Sequence, residues 1–124
     1  MNRLQLIYIN KKTQTWIDKL TELFCLEDAK PYVVLKPNWD NRKGYCKYAT
    51  EIHNPVIQIG CKDGIRLTTL VHEFIHAMGF KHTWEINGWA NFRHVHGSCK
   101  NVKSRDTYSH LIVRDLTGKD ELII

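Results

Sequence analysis

Residues 72–82 read His-Glu-Phe-Ile-His-Ala-Met-Gly-Phe-Lys-His, and their types and spacing suit metal chemistry. His72 and His76 are four apart. On a helix that spacing puts both imidazoles on one face, about one turn apart, where both reach a single tetrahedral zinc ion. Glu73 stands about 100° further round such a helix, close to the ion without having to ligate it, where its carboxylate can hold and deprotonate a water. Gly79 tolerates positive φ and lets the backbone turn sharply, which returns His82 as a third ligand. Three protein ligands leave the fourth position to water, the open pattern of a catalytic site rather than the closed pattern of a structural one. The expectation is one catalytic zinc ion held by His72, His76 and His82, with Glu73 as general base in peptide-bond hydrolysis. A bare His-Glu-x-x-His arises by chance in a chain this long at on the order of a few per thousand. Gly79 and His82 at fixed offsets lower that roughly a thousandfold, judged from typical residue usage.

These residues need a helix, and the surrounding sequence supplies one. Leu67, Leu70, Val71, Phe74, Ile75 and Met78 form a continuous apolar stripe, which predicts a helix over about 65–78 with the stripe in the core and the histidines facing a cleft. Asp63, in the turn 61–64, is the expected cap, and Gly79 the expected stop. Upstream, Leu4 to Ile9 reads as a strand. A helix follows from a cap at Thr13 or Thr15 to about Leu26, its apolar positions Trp16, Ile17, Leu20, Leu23 and Phe24 following the i, i+4, i+7 rhythm. Pro31 blocks its continuation. Strands are predicted at 32–36, 44–50 and 55–60, with loop chemistry at 37–41. A last helix runs from about Asp106 to Leu116 and ends at Gly118. This order predicts a single α+β domain over residues 1–124, a mixed sheet backed by helices.

Bulk properties agree with that layout. With 124 residues, 43% hydrophobic and 25% charged, the chain can bury a core of its own without disulfides. Gln5 and Asn10 break the apolar start, so it does not read as a signal peptide, and no apolar run reaches the length of a membrane span. A cytoplasmic monomer without a membrane partner is the expectation. Cys25, Cys46, Cys61 and Cys99 include no Cys-x-x-Cys pair, which argues against a zinc ribbon. Free and mostly buried thiols are expected, with two disulfides the arithmetical alternative. The net charge of +5 permits an anionic partner. Arg93, Lys100, Lys103 and Arg105, with Lys11, Lys12, Arg42, Lys43 and Lys47, either form a solvated surface or touch nucleic-acid phosphates. Trp84, Trp89 and Phe92 read as a small satellite core or as pocket lining, and Tyr108 and His110 as helix surface or as groups reaching a substrate.

At His72, Glu73, His76, Gly79 and His82 the sequence resembles the metzincin metallopeptidases, whose signature is His-Glu-x-x-His-x-x-Gly-x-x-His. The resemblance implies a zincin-like fold and a protein or peptide substrate. It also implies a sheet edge in the strand before the active-site helix, somewhere in residues 44–60, where a substrate peptide could pair by strand addition. Metzincins carry a methionine turn after the motif. The only methionines here are Met1 and Met78, so the segment 104–111, with Leu111 or Tyr108 under the metal, is the candidate replacement. Gly44-Tyr45-Cys46, Val56 to Ile59 and Thr68 to His76 also resemble the SprT and Spartan type of peptidase, which acts on nucleic-acid-bound proteins. That resemblance implies a later third histidine followed by glycine, here His96-Gly97 in place of His82, with His94 and His96 otherwise an ordinary histidine pair. The spacing H-x3-H-x5-H is similar to that of YbeY-type endoribonucleases too. That family normally has glycine where this chain has Glu73.

Overall fold

The computed structural model describes residues 10–80 and 108–124. The strand predicted at 4–9, the aromatic cluster Trp84, Trp89 and Phe92, and the basic residues Arg93, Lys100, Lys103 and Arg105 lie outside them. Helix α1 (Lys11–Leu23) is followed by a 3-10 turn (Glu27–Ala29), strands β1 (Tyr32–Lys36), β2 (Gly44–Lys47) and β3 (Val56–Gly60), helix α2 (Leu67–Ala77) and helix α3 (Tyr108–Thr117). The fold class is α+β, as expected. No helix among the described residues is long and apolar enough to cross a membrane.

The three strands form one mixed sheet in the order β1-β3-β2. β3 is central, parallel to β1 with Val33 opposite Ile57, and antiparallel to β2 with Cys46 opposite Ile57. Alternation decides the faces. Val33, Leu35, Cys46, Ile57 and Ile59 are buried, whereas Tyr32, Tyr45 and Lys47 on the opposite face are exposed. α2 lies against β2 and β3, α3 lies against α2, and α1 touches α2. The core is the layer between, where Leu20, Ile57, Ile59, Leu67, Leu70, Val71, Phe74 and Val113 are fully or almost fully buried. Each such side chain contributes about 1.5–3 kcal/mol. The predicted stripe of α2 is buried from Leu67 to Ile75; Met78, just past the helix, is exposed.

The helix ends differ from expectation. Asn10, not Thr13 or Thr15, caps α1: its Oδ1 accepts from the Thr13 N–H at 2.8 Å, and Thr13 is buried inside the first turn. α1 stops at Leu23 rather than Leu26. Cys25 takes φ 56°, with Cys25 N–H donating to the Glu22 carbonyl and Leu26 N–H to that of Thr21. That is the paired bonding of a Schellman stop, and it sends Leu26 back into the core. Cys25 is exposed, so the described thiols are free but not all buried: Cys46 is buried and Cys61 half-buried. β2 ends at Lys47 rather than Thr50. α3 is described from Tyr108 to Thr117, and its expected start at Asp106 lies outside the described residues.

Asp63 does not cap α2. The N-cap is Arg66, which has no acceptor to offer and makes no side-chain cap. The acceptor comes from 53 residues downstream. Glu121 accepts from the Thr68 N–H at 3.0 Å and from the Thr68 hydroxyl, and pairs with Arg66 at 2.7 Å. Residues 122–124 also bond to Ile65 and Leu67 through the backbone, which carries Glu121 to this place. Burial pushes the Glu121 carboxyl up, but the bonds from Thr68 and Leu122 and the charge of Arg66 outweigh it and hold it below the ordinary range. Glu121→Ala is therefore expected to cost about 1–3 kcal/mol of stability at neutral pH. The folded-state pKa is depressed, so this contribution is present above the unfolded value and is lost as pH falls through the folded one. Denaturant melts at pH 7 and pH 3 check it: the difference between parent and variant should shrink at the lower pH.

Candidate active site

The site is built on a helix whose register the core fixes. With Leu67, Leu70, Val71, Phe74 and Ile75 buried, α2 cannot rotate without exposing them. His72 and His76 are thereby held on one side, and Glu73 faces the sheet. The two imidazoles lie with ring centroids 5.0 Å apart and planes at 74°. Two ring nitrogens sharing one tetrahedral zinc ion need centroids about 5 Å apart, and the pair meets that separation.

His76 is 5% exposed and its Nδ1 is occupied. Gly79 takes φ 103° and its N–H donates to the His76 carbonyl at 2.8 Å. This turn swings the Phe80 carbonyl back to within 2.8 Å of His76 Nδ1. A carbonyl oxygen only accepts, so Nδ1 carries a proton, and in the neutral ring the lone pair is then on Nε2. The Tyr48 hydroxyl lies 3.0 Å from the same Nδ1. His72 is half-buried.

Glu73 is also 5% exposed. It points at the start of β2, where Gly44 leaves room for it. A Cβ on Gly44 would stand 2.6 Å from Glu73 Oε2 and 2.9 Å from its Cγ. Burial pushes the Glu73 carboxyl up to about 8. Close to neutrality, such a group both takes and returns a proton. A divalent cation beside it would pull it down again. Cys46, on the same strand, is pushed up to about 12 by burial and then by the charge of Glu73. At neutral pH it is an un-ionised packing residue, not a nucleophile.

β2 is an edge of the sheet among the described residues, whereas β3, the strand directly before α2, is central and paired on both sides. Within the candidate range 44–60, the edge is thus residues 44–47, beside Glu73. α3 buries Ser109 and Val113 and leaves Tyr108 and Leu111 exposed.

The structure brings His72, Glu73 and His76 together on α2. His82 and its alternative His96 lie outside the described residues, as does His94, and among the described residues no group of three or more His, Cys, Asp and Glu gathers to hold an ion. The sequence gives Tyr48 and the Phe80 carbonyl no visible part in the site, and it marks Gly44 through the SprT resemblance without showing its role beside Glu73. A glycine opening a predicted strand was the one visible signal; the other two contacts depend on tertiary placement. Comparisons with protein-family models, with curated proteins and with solved structures found no match for this chain.

Proposed function

We propose that this protein is a zinc-dependent metallopeptidase in which His72 and His76 hold the ion, His82 completes the ligand set and Glu73 is the general base. The observation that carries the reading is the geometry of α2. Two imidazoles stand with ring centroids 5.0 Å apart on one side of α2, with His76 Nδ1 turned to the Phe80 carbonyl, next to a carboxylate that burial pushes up to about 8. A soluble helix face with two incidental histidines has no reason to bury Glu73 or to clear space for it opposite Gly44.

When bound, zinc supplies Lewis acidity towards a water and a peptide carbonyl. The chain's own residues do the rest. Among the described residues β2 has no partner strand on its outer side, and an extended substrate pairs with that edge over residues 44–47 by strand addition. This lays the scissile bond across the mouth of the site, beside Glu73. Glu73 takes a proton from the attacking water as its oxygen bonds to the carbonyl carbon. It then returns that proton to the amine nitrogen as the C–N bond breaks. Burial favours this exchange by keeping the proton-bound form of Glu73 accessible near neutral pH.

The third ligand is tested by zinc retention against a chelator. His82→Ala is expected to weaken retention by several orders of magnitude, and His96→Ala by less than about tenfold, the lower bound for lost outer partners. The reverse result would move the third ligand to His96 and favour the SprT-like arrangement.

A further inference from the structure

We infer that Tyr48 is a positioning residue for His76, one of two oxygen acceptors that confine the ring to the metal-binding tautomer and fix its plane. The purpose of this arrangement rests on the metallopeptidase reading; its geometry does not. Tyr48 Oη lies 3.0 Å from His76 Nδ1 and the Phe80 carbonyl 2.8 Å from it. Were Nδ1 the lone-pair nitrogen, the Phe80 oxygen would face it with no proton between them. Nδ1 therefore donates, and its one N–H is shared between the carbonyl and the phenol oxygen. The imidazole lone pair is left at Nε2.

The two acceptors come from different elements. Phe80 belongs to the turn after α2, and Tyr48 follows directly on β2. A single acceptor would fix the tautomer but leave the ring free to swing about the hydrogen bond. Two acceptors on different elements define the plane. The Tyr48 ring supports the imidazole edge-on, with centroids 5.8 Å apart and planes at 79°. His76 is 5% exposed, so bulk water is poorly placed to replace a lost acceptor. Tyr48 also joins the imidazole to the strand proposed to take the substrate, so one residue ties edge and metal ligand into a single frame. Outer partners of this kind are typically worth 10–100-fold in metal affinity.

The test compares the parent chain, Tyr48→Phe and, as control, Tyr32→Phe, whose phenol is exposed on β1. Nitrogen-15 spectra of the metal-free proteins report the His76 tautomer, and competition with a chelator reports zinc affinity. The parent is expected to show His76 protonated at Nδ1 alone. Tyr48→Phe should keep the Nδ1-protonated tautomer, which the Phe80 carbonyl still sets, but show exchange broadening at the His76 nitrogens and about tenfold weaker zinc binding, and Tyr32→Phe should match the parent. Parent-like His76 nitrogens in Tyr48→Phe would overturn the inference, and parent-like zinc affinity alongside them would leave Tyr48 with packing only. If the parent retains no zinc, the metallopeptidase reading falls by itself, and the spectra still decide the role of Tyr48.

Discussion

Glu73→Gln is expected to keep its zinc and to lose about 10³-fold in turnover, the usual scale for removing a positioned general base. The substitution preserves shape, and Glu73 is not a proposed ligand, so the imidazole pair 5.0 Å apart is untouched. What disappears is a group that can accept a proton. The same variant has a signature in the metal-free protein that is independent of catalysis. Burial pushes the Glu73 carboxyl up to about 8, against an ordinary value near 4.5. The folded state then holds its proton more tightly than the unfolded state does. The metal-free parent should be most stable, as far as this group is concerned, below pH 4.5, and should lose stability as pH rises towards 8. The loss is on the order of a few kcal/mol. In Glu73→Gln this part of the pH dependence should vanish, leaving the stripped variant more stable than the stripped parent at pH 8. Urea melts of both proteins at pH 5 and pH 8 measure it; equal pH dependence in the two would contradict the burial of Glu73.

Gly44→Ala is the second large effect, expected at about 10²-fold in turnover. The new methyl would stand 2.6 Å from Glu73 Oε2 and 2.9 Å from its Cγ, so the carboxylate or the strand must shift. Displacements near 1 Å at a reacting group cost about this much. The imidazoles are not in the path of that methyl, so zinc affinity should change little. The split between turnover and metal retention separates this outcome from general unfolding. Turnover within twofold of the parent would mean that Glu73 works from another position.

The parts of the fold legible in the sequence are those set by local pattern. The stripe from Leu67 to Ile75 specified a buried helix, and that helix specified where His72, Glu73 and His76 point. β1 and β3 were marked by β-branched runs and bounded by turn residues. The misplaced features are those set by distant partners. The start of α2 is capped by Glu121 rather than by nearby Asp63, because residues 122–124 pair with Ile65 and Leu67. α1 starts one turn's worth of chemistry early, at Asn10, because an asparagine cap outweighed two threonines that lie within the first turn. β2 stops at Lys47, and the next residue, Tyr48, turns to His76 instead of continuing the ladder. Gly79 was read as the hinge that returns His82. Among the described residues its visible effect is different: it returns the Phe80 carbonyl to His76.

Metal-dependent hydrolysis of peptide bonds is tested by one side-by-side assay. Zinc-loaded parent and Glu73→Gln are each incubated with an unfolded protein and with a structured RNA, and the products are sized. Peptide fragments are expected from the parent and none from the variant, with intact RNA in both. Cleaved RNA with intact protein would contradict that and move the site to the endoribonuclease chemistry that the same histidine spacing serves.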